Sequence, residues 1–438
     1  MYSRHAPVQV ADEGTWATGP EEIVMPDFNS LYSQNAHNMK KSIIRELLKL
    51  TNKPGLISFA GGLPAPETFP VEDLRVAADA VFTKNPEVGL QYGTTEGDPA
   101  LKAELVKIEA SDGVKVGPDN ILVTSASQQA LDILPKVFLD PGDWIIAGHP
   151  TYLGTIQAIQ SYQGKILGVP FAAEEDGFDL GEMERRYAAH RAAGMSIKYI
   201  YVIPDFQNPT GICWSLEKRQ ALLRFAYREN LLIIEDSPYR EIRFVGKHIP
   251  SIYQLDQEME NRGIVVGLKT FSKILIPGAR MGWIIAHPEL IAKFVVAKQA
   301  MDLCTNVFTQ RWIAEFLATG KLRSVIENTR ANYRAKRMFM LEQLQKHMPT
   351  HPDIHWTKPE GGLFLWLSLP KSINTDEMFT KAIAKNVAYV VGSAFYFDDV
   401  EHNSMRLNFS FSSKADIEEG IKRLAEVVRG ELAAHPQE

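Results

Sequence analysis

From Ile121 onward, short apolar runs alternate with helix-length amphipathic stretches. The runs are Ile121–Thr124, Trp144–Gly148, Lys165–Val169, Ile197–Ile203, Leu231–Glu235, Gly263–Leu268 and Gly282–Ala286. Between most of them lie stretches such as Gln128–Phe138, Leu180–Ala193 and Leu216–Glu229. Runs that are apolar throughout, with polar residues only at their ends, predict strands covered on both faces. Alternation with helices predicts mostly parallel order. The fold class expected is α/β, with one large doubly wound, mostly parallel seven-stranded sheet.

The flanking regions read differently. Residues 1 to about 30 are a polar arm. In Asn38–Leu50, Ile43, Ile44, Leu47 and Leu48 recur at helical spacing. Leu56–Phe59 is short and apolar and leads into Gly61-Gly62-Leu63-Pro64-Ala65-Pro66, whose glycines and prolines mark a rigid loop. Residues 288 to 348 read as nearly all helix. Beyond them, Gly362–Leu369 and Ala388–Val391 read as strands, and Asp376–Lys385 and Ala415–Leu432 as helices. This predicts a smaller α+β domain. The expected boundaries are an N-terminal arm over 1–30, an N-terminal part of the small domain over 31–85, a large domain over 86–330, and a small C-terminal domain over 331–438.

Composition narrows the class. The chain has 438 residues, 45% hydrophobic and 23% charged, an ordinary globular balance that excludes wholesale disorder. Its net charge of −6 argues against a nucleic-acid binder driven by bulk charge. Two cysteines, Cys213 and Cys304, cannot build a disulfide scaffold or a four-cysteine zinc site, and they suit a reducing compartment. No apolar run approaches a membrane span, and the first thirty residues lack a signal-peptide core. A cytoplasmic protein with no metal, no membrane and no nucleic-acid partner is expected.

In open α/β sheets ligands bind beyond the carboxyl ends of the strands, so the residues that follow each run carry the chemistry. After Ile121–Thr124 comes Ser125-Ala126-Ser127-Gln128-Gln129, which is either an ordinary helix cap or a phosphate cradle of free amides. After Ile197–Ile203 comes Phe206-Gln207-Asn208-Pro209-Thr210-Gly211, a turn that could also aim the Asn208 amide at a ligand. After Leu231–Ile234 comes Glu235-Asp236-Ser237-Pro238-Tyr239, whose Asp236 is either a solvated or capping carboxylate or one that is costly at a buried strand end unless paired. After Gly263–Leu268 comes Lys269-Thr270-Phe271-Ser272-Lys273, with Arg280 seven residues beyond Lys273 as a phosphate fork or a surface charge. Each signal is weak alone. Together they place a phosphate site, an amide, an acid and a lysine on one crevice. Pyridoxal phosphate requires that set: an amine for the Schiff base, an anion for the ring nitrogen, donors for O3′ and cations for the phosphate.

The sequence resembles the class I/II aminotransferases of the fold-type-I pyridoxal-phosphate enzymes, in particular the 2-aminoadipate, kynurenine and multi-substrate subgroup. The resemblance covers about residues 38 to 432. It rests on Ser58-Phe59-Ala60-Gly61-Gly62-Leu63-Pro64, Ser127-Gln128-Gln129-Ala130-Leu131, Phe206 to Gly211, Phe271-Ser272-Lys273 and Arg406-Leu407. It implies that Lys273 forms the Schiff base and moves the proton between Cα and C4′, and that Asp236 lies under the pyridine nitrogen and keeps it protonated. Asn208 and Tyr239 would bond O3′. Ser127, Gln128, Thr270, Ser272 and Arg280 would hold the phosphate, and Tyr152 would stack on the ring. Tyr92 would reach the phosphate of the neighbouring subunit, making a homodimer with shared sites. Arg406 would fork the substrate α-carboxylate, while Gly62 and Arg45 would line the side-chain pocket. The implied reaction is ping-pong transfer of the amino group of an aromatic, aliphatic or 2-aminoadipate-like L-amino acid to 2-oxoglutarate.

The sequence departs from the family pattern in places. Thr270 stands where Ser is usual, and Ser237-Pro238 stands where Asp-Ala is usual. Val391-Gly392-Ser393-Ala394-Phe395 replaces a Pro-Gly-containing loop near the substrate. The same fold also carries lyases, decarboxylases and regulators fused to a winged-helix DNA reader. Arg406 with the intact transaminase motifs favours transamination. Thirty polar residues before Asn38 are too few for a DNA-reading domain, and the charge is negative.

Overall fold

The computed structural model describes residues 26–39, 54–84, 86–172 and 176–435. The helix expected over Asn38–Leu50, with Arg45, lies essentially outside the described residues, as does most of the N-terminal arm.

A short strand β1 (Ile57–Ser58) precedes the main sheet. That sheet has seven strands: β2 (Ile121–Thr124), β3 (Trp144–Gly148), β4 (Lys165–Val169), β5 (Ile197–Val202), β6 (Leu232–Asp236), β7 (Val265–Thr270) and β8 (Gly282–Ile285). Their spatial order is β2-β8-β7-β6-β5-β3-β4. Every pairing is parallel except those of β8, which runs antiparallel to β2 and β7. The reason is the connection: segment 271–281 between β7 and β8 leaves no room for the crossover helix that a parallel return needs.

All residues of β2 and β7 and nearly all of β3, β5 and β6 are buried, which accounts for their unbroken apolar runs. Helices Ala126–Phe138, Leu153–Ser161, Leu180–Ala192 and Leu216–Glu229 follow β2 to β5 in turn. Helix Leu216–Glu229 shows the local logic. Ser215 caps it by accepting from the Lys218 amide, and Asn230 ends it in the left-handed conformation at φ +54°. The strand expected over Leu231–Glu235 is shifted by one residue, so that Asp236 is itself the last residue of β6.

Three helices, Pro288–Asp302, Val307–Leu317 and Leu322–His347, lead to a second sheet. Its strands are β9 (His355–Trp356), β10 (Phe364–Ser368), β12 (Val390–Val391) and β13 (Ser404–Asn408), ordered β12-β13-β10-β9 and all antiparallel. The single strand expected over Ala388–Val391 divides in two. Its first part, β11 (Val387–Ala388), pairs in parallel with β1, and only β12 joins the second sheet. The run is continuously apolar because it is buried throughout while serving two sheets in succession. Helix Lys414–Ala434 closes the chain, capped by Ser413. Among the described residues no helix is long and apolar enough to cross a membrane.

Candidate active site

A cavity of about 490 Å³ opens where β5, β6 and β7 end. The main sheet and its loops contribute Ser127, Gln128, Tyr152, Asn208, Asp236, Tyr239, Thr270, Ser272, Lys273 and Arg280 to its walls. Gly62, Phe364 and Arg406 close it from the other side. Eleven sequence-predicted residues and Gly62 are thereby brought to one space. Tyr92 is not among them: its side chain is 81% exposed, away from the cavity wall. Arg45 lies outside the described residues.

The acid end is built on β6. Asp236 is buried, and the Tyr201 hydroxyl on neighbouring β5 donates to its Oδ2 at 2.7 Å. Oδ1 is buried with no hydrogen-bond partner among the described residues. Burial pushes the carboxyl up to about 7, against the stabilising hydrogen bond from Tyr201. Sequence reasoning missed Tyr201. Its signal was available, because a tyrosine within an unbroken buried strand must find a partner for its hydroxyl.

The amine lies on the connection between β7 and β8. Lys273 is half-buried and its Nζ donates to the Gly62 carbonyl at 2.8 Å. Burial first, and then the positive charges of Arg406 and Arg280, push the ammonium down to about 8. Free amine is therefore accessible near neutral pH.

The anion end combines a helix start with two hydroxyls and a guanidinium. Helix Ala126–Phe138 begins at Ser125 with no side-chain cap, and Ala126 stands at φ +59°. Of the two readings of this turn, the uncapped start favours the cradle: the first amides are left for a ligand. Thr270 Oγ1 donates to Ser272 Oγ at 2.9 Å, and Arg280 Nη1 reaches the same Ser272 oxygen at 3.4 Å. Gln128 Oε1 accepts from the Tyr152 hydroxyl at 3.3 Å.

The second sheet supplies a buried cation. Arg406 on β13 is 3% exposed. Its Nη1 donates to Asn208 Oδ1 at 2.8 Å and its Nη2 to the Ala60 carbonyl at 2.9 Å. The guanidinium carbon lies 4.1 Å from the Phe364 ring centre and 5.1 Å from that of Phe395. Burial pushes it down to about 10, so it stays cationic at neutral pH. Asn208 therefore touches both the Arg406 side and the Tyr239 hydroxyl. Neither ring contact was foreseen: Phe364 lies in a strand and Phe395 ends a short 3-10 turn, and an aromatic in either place carries no distinguishing signal of its own.

This set fits pyridoxal phosphate on the structure's own terms. A buried carboxylate oxygen awaits a donor, an amine of lowered basicity lines the same cavity, and an uncapped helix start with Ser272, Thr270 and Arg280 suits a phosphate.

Residues 62–424 match the family described as aminotransferase class I and II. The chain belongs to that family. It is 42% identical over 407 residues to aromatic-amino-acid aminotransferase 1 of Thermococcus litoralis, covering 93% of this chain and 96% of the relative. The structure of a Pyrococcus horikoshii kynurenine aminotransferase, solved with PMP, matches it with a TM-score of 0.87 at 42% identity, over 93% of this chain and 98% of that one. An α-aminoadipate aminotransferase from Thermus thermophilus, solved with N-(5'-phosphopyridoxyl)-L-leucine, matches with a TM-score of 0.85 at 36% identity, over 93% and 100% of the two chains. The protein is thus a pyridoxal-phosphate-dependent aminotransferase of fold type I. Among the described residues no cluster of His, Cys, Asp or Glu is arranged to hold a metal ion.

Proposed function

We propose that this aminotransferase moves the amino group of an L-amino acid with an aromatic, aliphatic or 2-aminoadipate-like side chain to 2-oxoglutarate, by a ping-pong mechanism. The observation that carries the reading is the shared cavity of Lys273, Asp236 and Arg406. The names of the relatives, which act on aromatic amino acids, kynurenine and aminoadipate, support the donor range.

The bound cofactor supplies a carbonyl to take the amino group and a ring to take the electron pair left at Cα. The chain's residues do the rest. Arg406 holds the α-carboxylate in a bidentate fork and so fixes the substrate's orientation. Lys273 Nζ removes the proton from Cα, a role that its lowered basicity suits. Asp236, held by Tyr201, keeps a proton on the ring nitrogen. Asn208 and Tyr239 would donate toward O3′ of the bound cofactor, and Tyr152 would cover its ring face. Ser127, Gln128, Thr270, Ser272 and Arg280 bind the phosphate. Gly62 lines the side-chain pocket; a Cβ there would come within 3.2 Å of Phe364. Arg45 is assigned from sequence alone to the distal carboxylate of acidic substrates.

The enzyme is read as a cytoplasmic homodimer in which Tyr92 serves the neighbouring subunit's phosphate. Exposed Leu90 and Tyr92, 64% and 81% accessible, support this. The small domain is read as residues 31–85 with 331–438, and the large domain as 86–330. The pairing of β1 with β11 supports that grouping.

The test is a panel of L-amino acids added to the holoenzyme and followed by cofactor absorbance. Productive donors bleach the visible band, and 2-oxoglutarate restores it with formation of glutamate. Bleaching that 2-oxoglutarate does not reverse overturns the assigned acceptor.

A further inference from the structure

We infer that His149 is a positioning residue for the carboxylate end of the site, acting through the turn at residues 392–398. The inference rests on the reading of Arg406 as the carboxylate's partner. His149 follows β3, and its backbone amide donates to the Val169 carbonyl at 2.9 Å. Its ring takes no part in the cavity wall. The ring instead lies against Tyr396 and Phe397, with centroids 4.6 Å and 4.8 Å away. Its Nε2 is 2.8 Å from the Asp398 carbonyl and 3.2 Å from Asp398 Oδ1. A carbonyl only accepts, so Nε2 carries the proton.

Two residues on, the Thr151 amide donates to the Phe395 carbonyl at 3.0 Å. Segment 149–151 therefore grips the turn at 395 and again at 396–398. That same segment leads directly into Tyr152 on the cavity wall. At the first grip, the Phe395 ring faces the Arg406 guanidinium at 5.1 Å. The other end of the turn is fixed by Ser393, whose hydroxyl donates to Asp376, which also binds His402.

The consequence is electrostatic. The Arg406 guanidinium meets a carboxylate strongly only while aromatic surfaces keep water away. Phe395 is one of those surfaces. Its ring packs edge-on against Trp366, with centroids 5.8 Å apart, and has no polar atom to anchor it. Its place is set by the backbone of the turn, which His149 and Thr151 fix. His149 thus ties the segment bearing Tyr152 to the surface that shields Arg406.

The test measures binding of phenylpyruvate, whose single carboxylate is the one Arg406 would take, to the pyridoxal form, where it has no amino group to accept. Calorimetry gives the Kd without turnover. His149→Ala should weaken phenylpyruvate by about tenfold, that is about 1.4 kcal/mol, and raise the donor KM to match, with kcat and pyridoxal-phosphate affinity changed by less than about twofold. His149→Gln, whose amide N–H can reach the Asp398 carbonyl, should recover most of the loss. Phe395→Ala should reproduce the loss, and the double variant should be no worse than the larger single one. Unchanged binding in His149→Ala, or additive losses in the double variant, overturns the inference. Arg406→Ala separates the two readings. If it leaves phenylpyruvate binding unchanged, the carboxylate assignment itself fails; if it weakens binding while His149→Ala does not, only the role of His149 fails. Should His149→Ala not fold, the Gln variant and the Phe395→Ala comparison decide the matter.

Discussion

The Tyr201 hydroxyl holds Asp236 through Oδ2 at 2.7 Å, and Oδ1 of the same carboxylate has no partner among the described residues. One oxygen is committed to the protein and the other is kept for a ligand. On the proposed function, this division would leave the acid free to meet the ring nitrogen of the cofactor. Removing the hydroxyl by Tyr201→Phe deletes a hydrogen bond to a charged group, worth about 1.5–3 kcal/mol. Cofactor affinity should fall by roughly ten- to hundredfold with circular dichroism unchanged. Equal affinity for the two proteins would show that Tyr201 only fills space.

Asp236 also predicts a pH dependence. Its carboxyl is raised by burial from 3.8 to about 7. A raised carboxyl contributes stability that is full below its unfolded value and is lost as the pH rises through the folded one. In the cofactor-free protein, Asp236→Asn should therefore gain on the wild type between about pH 4 and pH 8, by on the order of a few kcal/mol. Urea unfolding of both proteins at the two pH values checks this, and a gap that does not change with pH contradicts it.

Much of the fold and of the site is legible in the sequence. The seven strands follow from unbroken apolar runs because a sheet covered on both faces leaves no polar alternation. The residues beyond each strand followed from the rule that ligands gather at strand ends. What escaped depended on contacts between distant parts of the chain. Tyr201 meets Asp236 across two neighbouring strands, and Phe395 meets Arg406 only because β12 and β13 pair. The division of 387–391 between two sheets likewise needs β1, which lies far away in sequence. The uncapped start at Ser125 could not be told from a capped one, since serine serves both.

Lys273 should behave as an amine of lowered basicity. Its ammonium is pushed down to about 8, so half is free amine near that pH. In the cofactor-free protein, acylation of Lys273 by a small water-soluble reagent should rise to half its maximum near pH 8. Unperturbed surface lysines should do so at about 10.4. Peptide mass analysis separates the two populations. A Lys273 profile that coincides with the surface lysines would remove the electrostatic argument for its role as a base.

Tyr92 should act across a subunit interface, because it is 81% exposed and away from its own chain's cavity. Tyr92→Ala and Lys273→Ala should each lose most activity. Mixed under conditions of subunit exchange, they should regain activity at the hybrid site that is intact in both respects. Exchange without recovery would assign Tyr92 to its own subunit.

Lys273, Asp236 and Arg406 together are expected to run an amino-group transfer. Its most direct test follows nitrogen from a ¹⁵N-labelled L-amino acid in the presence of 2-oxoglutarate and pyridoxal phosphate. We expect the label to appear in glutamate, matched mole for mole by the oxo acid of the donor, and to vanish from glutamate when Lys273→Ala replaces the wild type. Label released as ammonia, carbon dioxide formed from the donor, or transfer that persists at the wild-type rate in Lys273→Ala would contradict the account.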